Sequence, residues 1–148
     1  MTTAKDVCAG IKYELQNDST MLAWVAGLPG VSRYDVAVSI GESSKPPGIG
    51  ELPHVMIVAG DEDLLEIDLN DEPHVEQDFF LIGRLRGGTS ENDELIKGEF
   101  INHIKRIIWN NYTLNGTVYN ARAIAVDDDE ETNNARFSVL VRTHRTGG

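Results

Sequence analysis

Residues 75–85, Val-Glu-Gln-Asp-Phe-Phe-Leu-Ile-Gly-Arg-Leu, carry the alternation that decides the fold. Apolar side chains recur at every second position over most of this stretch, as in a β-strand that packs one face on a core. One side of the strand carries Val75, Phe79, Leu81 and Leu85. The other side carries His74, Glu76, Asp78, Arg84 and Arg86, together with Phe80 and Ile82. The segment therefore predicts a strand in a sheet that has one buried face.

Other segments of the chain also have the character of strands. Alternation predicts half-buried strands, and a nearly continuous apolar run at 54–59 predicts a central strand buried on both faces. The turn residues Asn70-Asp71-Glu72-Pro73 predict a hairpin that leads into the 75–85 strand. The predicted strands besides 75–85 cover residues 34–40, 54–59, 65–69, 117–126 and 135–145.

The spacing of apolar residues elsewhere predicts three helices. A first helix is expected over 4–16, with Thr3 and Asp6 as a capping box, and a short second helix over 21–26. A long helix is expected over 91–109, where one face is marked by Ile96, Phe100, Ile104, Ile107 and Ile108. The order of helix, short helix, four strands, long helix and two strands predicts an α+β fold. In this fold a single mixed or antiparallel sheet is packed by the N-terminal helix and the long helix.

The length of 148 residues is that of one domain with one core, and we expect residues 1–148 to form it. A loop rich in Pro and Gly is predicted at 41–53, and an acidic loop at 127–134. Loops as long as the first are more often functional or mobile than neutral connectors.

The formal net charge of -11 is concentrated in the middle of the chain, since residues 51–100 hold 14 acidic and 3 basic side chains. This balance disfavours nucleic-acid binding and attraction to an anionic membrane, because both depend on clustered cations. The start lacks a signal-peptide pattern, and no apolar run reaches the roughly 20 residues of a membrane span. Cys8 is alone and cannot form an internal disulfide. We therefore expect a soluble protein made in a reducing cytoplasm.

No motif predicts a catalytic centre, a metal site or a cofactor site. The four histidines, His54, His74, His103 and His144, show no metal-ligand spacing, and the acidic runs 61–63 and 127–129 lack the EF-hand pattern. Aromatic residues are expected mainly on apolar faces, which argues against a carbohydrate cleft. The prediction is a protein that is not an enzyme and that needs no cofactor.

The layout resembles that of the tail completion or tail terminator proteins of long-tailed bacteriophages. Residues 17–27, Asn-Asp-Ser-Thr-Met-Leu-Ala-Trp-Val-Ala-Gly, are similar to the "L-x-x-D-x-x-L-x-A-x-V-x-G" entry of that family. Residues 52–57, Leu-Pro-His-Val-Met-Ile, resemble its "L-P-x-V-x-V" strand. A later helix from Glu94 onward precedes a closing pair of strands around a polar loop, as in the family. The loop at 41–53 and the concentration of acid depart from the family pattern.

The resemblance implies a virion structural protein of the tail or neck, assembled in the host cytoplasm. Such proteins form a ring, typically a hexamer, that caps the head-proximal end of the tail tube and stops its growth. The expected partners are other copies of the chain, the tail tube protein and a neck or head-completion protein. DNA is expected to pass through the centre without specific binding, and no membrane is involved.

Two sets of residues are candidates for roles in such a ring. If the hairpin forms, four carboxylates share one sheet face, where they either line the lumen and repel DNA or belong to a plain solvated surface; they are Glu66, Asp68, Glu76 and Asp78. Solvent, counter-ions, or Arg84 and Arg86 of a neighbouring subunit would offset their mutual repulsion. The candidates for subunit contacts are Arg84, Arg86, Arg136, Arg142, Arg145, Pro46 and Pro47.

Three alternatives remain open at this stage. The chain is a different head-tail connector or neck component, an acidic inhibitor that mimics DNA, or a domain that binds calcium or a small ligand. The DNA-mimic hypothesis is weakened because the charge of such a protein should spread along one long face, whereas both ends of this chain are near neutral.

Overall fold

A computed structural model describes residues 2–31, 33–41, 48–67, 72–86, 91–129 and 136–147. Within these residues it contains three α-helices and one five-stranded sheet, which confirms the predicted α+β fold. The helices are α1 (Ala4–Asn17), α2 (Ser19–Ala26) and α3 (Glu91–Asn110), and a short 3₁₀ turn covers Ile49–Glu51. The strands are β1 (Ala37–Ile40), β2 (His54–Ile67), β3 (Pro73–Arg84), β4 (Asn120–Asp129) and β5 (Arg136–Thr146).

The sheet has the order β1-β2-β3-β5-β4, so β5 lies between β3 and β4. The short strand β1 is parallel to β2, and all the other neighbours are antiparallel. The mixed sheet expected from the sequence is therefore confirmed. Helix α3 connects β3 to the far edge strand β4, and this crossover places the helix on one face of the sheet.

Local side-chain contacts define the ends of the first two helices, as the sequence predicted. Thr3 and Asp6 form the capping box, in which Asp6 N donates to Thr3 Oγ1 and Thr3 N donates to Asp6 Oδ2. The Asp18 carboxylate caps α2 by accepting from Met21 N at 2.8 Å, and Gly27 ends that helix. Each contact satisfies backbone N–H groups that a helix start leaves without an internal partner.

The core lies between the helices and one face of the sheet, which we call the covered face. Its helical side comes from α1 and α3, for example Ile11 and Ile104, and its sheet side includes Phe79 and Val139, all of them fully buried. Its largest fully buried apolar side chains are Phe79, Phe100, Phe137, Ile11, Leu15, Met21, Ile57, Leu81, Ile104, Ile107 and Ile108. Burial of this set is the main stabilising contribution to the fold.

One glycine is required by the packing of this core. The ring of Phe137 lies edge-on to that of Phe100, with centroids 5.3 Å apart, and it fills the space beside Gly83. A Cβ atom at Gly83 would lie 2.2 Å from Phe137 Cζ, so any other residue would displace the ring. Gly83 therefore leaves room for an aromatic side chain from the neighbouring strand.

The prediction of two separate strands at 54–59 and 65–69 was wrong, because 54–59 and the described residues 65–67 belong to the single strand β2. The β2–β3 ladder is irregular between Ala59 and Glu62 and between Leu64 and Glu66. These irregularities interrupt the alternation of side chains between the two faces, so the sequence pattern indicated two strands. Three strands, not four, therefore precede α3 among the described residues. Burial on both faces was also wrong for 54–59, since Val55 is buried whereas Met56 remains half-exposed.

The closing strands are shifted from their predicted bounds. Strand β4 begins at Asn120 and continues to Asp129, so the first three residues of the predicted acidic loop at 127–134 belong to a strand. One of these residues, Asp128, forms an ion pair with Lys97 of α3, and this contact stabilises it as part of the strand. Of the predicted loop at 41–53, the structure describes residue 41 and residues 48–53, where the 3₁₀ turn and the start of β2 now lie.

Candidate functional site

The sheet face turned away from the helices is the candidate site, and we call it the open face. Strand register places its residues in rows that run across β2, β3 and β5. One end row contains His54, Arg84 and Arg136. The next rows contain Met56, Ile82 and Ser138, then Val58, Phe80 and Leu140. Polar rows follow with Asp78 and Arg142, then Glu76 and His144, and finally His74 and Thr146. Over β2, β3 and β5 the open face therefore has a basic row, an apolar zone and mixed charged rows in that order, and Asp129 and Asp127 of β4 continue the first two rows.

The apolar zone crosses the middle of the open face. Val58, Phe80 and Leu140 lie side by side on three strands, and Ala125 of β4 continues the row. Phe80 is 41% exposed, whereas its neighbour in sequence, Phe79, is fully buried on the covered face. An apolar band flanked by charged rows has the anatomy of a protein–protein interface, with a hydrophobic centre and a polar rim.

Arg142 neutralises two of the predicted lumen carboxylates within the same chain. Its guanidinium donates to both oxygens of Asp78, at 2.9 and 3.2 Å, and lies 3.5 Å from a Glu76 oxygen. The hydrogen bond that Arg142 donates to Asp78, together with the attraction of Asp78, Glu76 and Asp63, raises the pKa of Arg142 above its ordinary value. Repulsion between Glu76 and Asp78 is thus offset internally, without an arginine from a neighbouring subunit. Glu66 pairs with His74 in the ladder, but its side chain and all of Asp68 lie outside the described residues.

Two histidines that are distant in sequence meet at the acidic end of the open face. His74 Nδ1 and His144 Nε2 are 3.1 Å apart, and Tyr119 contacts both rings, with centroids 5.8 and 5.6 Å away. No sequence spacing could reveal this pair, because it is created by the pairing of β3 with β5. Within the described residues, no group of three or more side chains could hold a metal ion.

The end of the open face that carries Arg84 and Arg136 also carries acidic residues of β4, since the register places Asp129 opposite Arg136 and Asp127 opposite Ser138. Arg84 and Arg136 are direct neighbours across β3 and β5, and neither forms an ion pair with a side chain that the structure describes. Next to Arg84 lies His54, whose Nε2 is 3.0 Å from Ser39 Oγ and whose buried Nδ1 has no hydrogen-bond partner. Burial lowers the pKa of His54, the nearby Glu51 carboxylate opposes this shift in part, and the positive charges of Arg84 and Arg33 add to it. This end of the open face therefore carries charges of both signs, with the two arginines beside acidic residues of β4.

Arg145 was expected at a subunit surface, and the structure corrects this expectation. Its side chain is only 1% exposed, on the covered side of β5. It donates to Gln77 Oε1 at 2.8 Å, to Glu62 Oε1 at 2.5 Å and to the Thr2 carbonyl at 3.2 Å. The alternation of β5, whose odd-numbered residues face inward, carried the signal that could have revealed this position.

The remaining interface candidates are placed as follows. Arg86 is exposed just beyond β3. Its guanidinium lies close to Gly30, since a Cβ atom added to that glycine would be 3.2 Å from Arg86 Nη1. Arg84, Arg136 and Arg142 share the open face, as described above. Pro46 and Pro47 lie outside the described residues.

The far end of the β2–β3 hairpin is a second distinctive surface. All five residues from 61 to 65 are exposed although they belong to β2, and we call this segment the hairpin end. Leu64 and Leu65 are 62% and 51% exposed, and Asp61 and Asp63 stand beside them. Glu62 is anchored inward by its contact with buried Arg145. The hairpin end thus presents apolar and acidic side chains together on a fixed strand.

The expectation that aromatic residues lie mainly on apolar faces was wrong. Trp109 is 78% exposed at the end of α3, and with Tyr112 it lines a recess of about 450 Å³ beside the start of β4. Other exposed aromatic side chains are Tyr13, Tyr34, Phe80 and Tyr119. Trp109 occupies a helical position outside the apolar stripe that the spacing of isoleucines defines, and this was the available signal.

On the covered side, an ionic contact fixes α2 to α3. Arg106 donates to both oxygens of Asp18, at 3.1 and 2.6 Å. This bond holds the pKa of Asp18 below its ordinary value, with help from the Met21 N–H. His103 packs on Trp24 at a centroid distance of 5.2 Å, and burial lowers its pKa. His103 is thus a partly exposed packing residue.

No helix among the described residues has the length and apolar character needed to cross a membrane. No protein-family model and no curated protein matches the chain. One similar solved structure is described as "Virion of native gene transfer agent (GTA) particle". It is 12% identical with a TM-score of 0.47, and the match covers 95% of this chain and 94% of that chain. Similarity at this level assigns neither a family nor a function to the chain.

Proposed function

We propose that this chain is a structural subunit of a phage-like virion. In this proposal its copies form a ring that caps the head-proximal end of a tail tube, stops tube growth and joins the tube to the neck. The proposal takes its direction from the resemblance of residues 17–27 and 52–57 to the tail terminator proteins.

The observation that carries the proposal is the open face itself. In a sheet that helices cover on one face, the side chains of that face pack in the core. The side chains of the other face, about half of the total, remain available for contacts. Here the available half combines an apolar band with charged rows on both sides of it, and therefore suits association with other proteins.

The acidic middle of the chain supports passage of DNA in this proposal. Asp61 and Asp63 are exposed on the hairpin end, and Glu76 lies across the ladder from Asp63. Carboxylates on a channel wall repel phosphates, so the DNA would not adhere as it moves. Arg142 reduces this effect near Asp78, which makes the hairpin end the stronger source of repulsion.

Imaging of the purified protein together with tail tubes tests the proposal. We expect rings with a central hole in the free protein, and single rings at one end of each tube. Tubes assembled with the protein should also be shorter or more uniform than tubes assembled without it. Protein that stays monomeric at high concentration in low salt, and that leaves tube ends bare, would contradict the proposal.

The lumen role of the four carboxylates has its own experiment. A variant with Glu66→Gln, Asp68→Asn, Glu76→Gln and Asp78→Asn should assemble normally and slow DNA ejection, because the wall would repel phosphates less. Glu94→Gln, at an exposed acid on α3, is the matched control. Normal ejection by the four-site variant would place these residues on a solvated surface instead.

A different neck component is the nearest rival, and it shares the virion assignment. Binding to the isolated neck complex without binding to tube ends would favour it.

A further inference from the structure

We propose that His74 and His144 together bind a late first-row divalent cation, of the class of Zn²⁺, Ni²⁺ and Cu²⁺. The two histidines lie on the open face, at the end of β3 and β5 that is remote from Arg84 and Arg136. This inference goes beyond the proposed function and does not depend on it, so either can fail without the other.

The two imidazole nitrogens are separated by the distance that two ligands of one metal ion require. His74 Nδ1 and His144 Nε2 are 3.1 Å apart. Two imidazole nitrogens that each lie about 2.05 Å from a zinc ion are about 2.9 Å apart at a right angle and about 3.4 Å apart in a tetrahedron. The observed distance lies between these values. An ion can therefore replace the hydrogen bond between the rings by small rotations of the two side chains, while the strands stay in place.

The sheet and Tyr119 hold the two rings in position. His74 lies opposite Thr146 and His144 lies opposite Glu76 in the β3–β5 ladder, so the histidines are diagonal neighbours on one face. Tyr119 stacks on His74 at an interplanar angle of 24° and meets His144 edge-on. Both histidines remain partly exposed, so an ion can reach them from solvent. Ligands that are already positioned lose little side-chain freedom on binding.

The charges at this end of the sheet favour a cation over an anion. Acidic residues outnumber arginines here, although Arg142 already neutralises part of the acid through Asp78 and Glu76. The acids are Asp63, Glu66, Glu72, Glu76 and Asp78, and the arginines are Arg122 and Arg142. The remaining negative charge attracts a cation and disfavours phosphate or another anion beside the histidines.

The donor atoms select the class of ion. Neutral imidazole suits Zn²⁺, Ni²⁺ and Cu²⁺, whereas Mg²⁺ and Ca²⁺ prefer oxygen ligands. Because no larger group of ligands occurs among the described residues, the two histidines are the protein ligands in this proposal and water completes the coordination. The proton of the hydrogen bond moves through solvent to the far nitrogen of the same ring. Both facing nitrogens can then donate a lone pair, and both rings stay neutral.

Such a site would join two strands that are far apart in sequence. His74 and His144 are 70 residues apart, and pairing of β3 with β5 brings them together. An ion that binds both rings therefore favours the folded chain over the unfolded chain, in which the two ligands are separated. Zinc should raise the melting temperature, and the rise should depend on both histidines.

Titration calorimetry with zinc chloride tests the inference, on chelator-treated protein without a histidine tag. The variants are His74→Asn and His144→Gln, whose amides occupy the positions of the lost ring nitrogens. Loss of a residue that only supports a ligand costs about 10–100-fold in metal affinity, so loss of a ligand should cost at least about tenfold. His103→Gln, at a partly exposed histidine on the covered side, is the matched control and should bind zinc like the wild type. Far-ultraviolet circular dichroism without zinc shows that each variant is folded.

Nitrogen NMR of the histidine side chains provides the sharper measurement, because it identifies the ligating atoms. On addition of zinc, the signals of His74 Nδ1 and His144 Nε2 should move to the positions of metal-bound nitrogens, and those of His54 and His103 should not. Ligation through other nitrogens would overturn the inference, as would wild-type protein that binds no zinc. Zinc binding that neither substitution weakens, or magnesium binding of equal affinity, would instead indicate a site made of carboxylates and would also overturn it.

The same protein samples separate this inference from the proposed function. Rings on tube ends, in a protein that binds no zinc, overturn the metal site and leave the proposed function standing. Zinc binding that depends on both histidines, in a protein that leaves tube ends bare, supports the metal site and contradicts the proposed function.

Discussion

The two faces of the sheet come from the same five strands, yet they differ in what lies against them. On the covered face, Phe79 and Val139 are fully buried beneath the helices. On the open face, Phe80 and Leu140 occupy the adjacent positions and remain partly exposed. The difference teaches that one alternating sequence specifies two surfaces: side chains of the covered face pack in the core, and those of the open face remain partly exposed.

Two adjacent phenylalanines provide the largest test of this comparison. Phe79→Ala should lower the free energy of unfolding by about 3–5 kcal/mol, because it leaves a cavity in a close-packed core. Phe80→Ala removes a side chain of the same size from the open face and should cost less than about 1 kcal/mol. Urea unfolding of both variants measures the difference, and equal losses would show that the open face is also covered in the free protein.

Two arginines on β5 sharpen the comparison for charged groups. Arg145→Met should destabilise the chain by about 1–3 kcal/mol, because it leaves the buried acceptor of Gln77 without its donor. Arg142→Met removes exposed contacts to Asp78 and Glu76 and should have little effect on unfolding. The midpoints of urea unfolding of the two variants test this prediction. A larger loss of stability for Arg142→Met than for Arg145→Met would contradict it.

The smallest expected effect concerns the ionic contact in the layer that covers the sheet. The hydrogen bond from Arg106 lowers the pKa of the Asp18 carboxyl group, so its contribution to stability is present above the ordinary carboxyl pKa of 3.8. This contribution is lost as the pH falls through the lowered pKa of the folded state. Asp18→Asn keeps an acceptor for the helix cap but loses the charge, and it should be about 1 kcal/mol less stable than the wild type near pH 7.

The difference between wild type and Asp18→Asn should shrink as the pH falls below 3.8 and through the lowered pKa of the folded state, because the Asp18 carboxyl group then becomes protonated. Thermal unfolding at a series of pH values measures it. A difference that is independent of pH would show that Arg106 does not act through the charge of Asp18.

Most of the fold was predictable because it depends on local patterns. The capping box at Thr3, the long helix and the alternation of 75–85 each depend on residues that are close together in the sequence. The errors occurred where the pattern is interrupted. Irregular pairing near Ala59 and Leu64 hid the continuity of β2, and an ion pair to Lys97 stabilises acidic residues as part of β4.

The candidate site was less predictable because it depends on which strands become neighbours. The sequence predicted that Glu76 and Asp78 share a face, but it could not show that Arg142 of β5 lies against them. The same holds for the contact between His74 and His144, and for the pair formed by Arg84 and Arg136. Each depends on insertion of β5 between β3 and β4, which no local pattern indicates.

That insertion also has a consequence for the order of folding. The strands β4 and β5 are close in sequence, so they can pair early. By contrast, β5 can pair with β3 only after residues as distant in sequence as His74 and Thr146 come together. Long loops are slow to close, so the search for this pairing should limit the folding rate. Until it succeeds, β3 and β5 each expose an unpaired edge, and this interval is when the chain is most prone to aggregate.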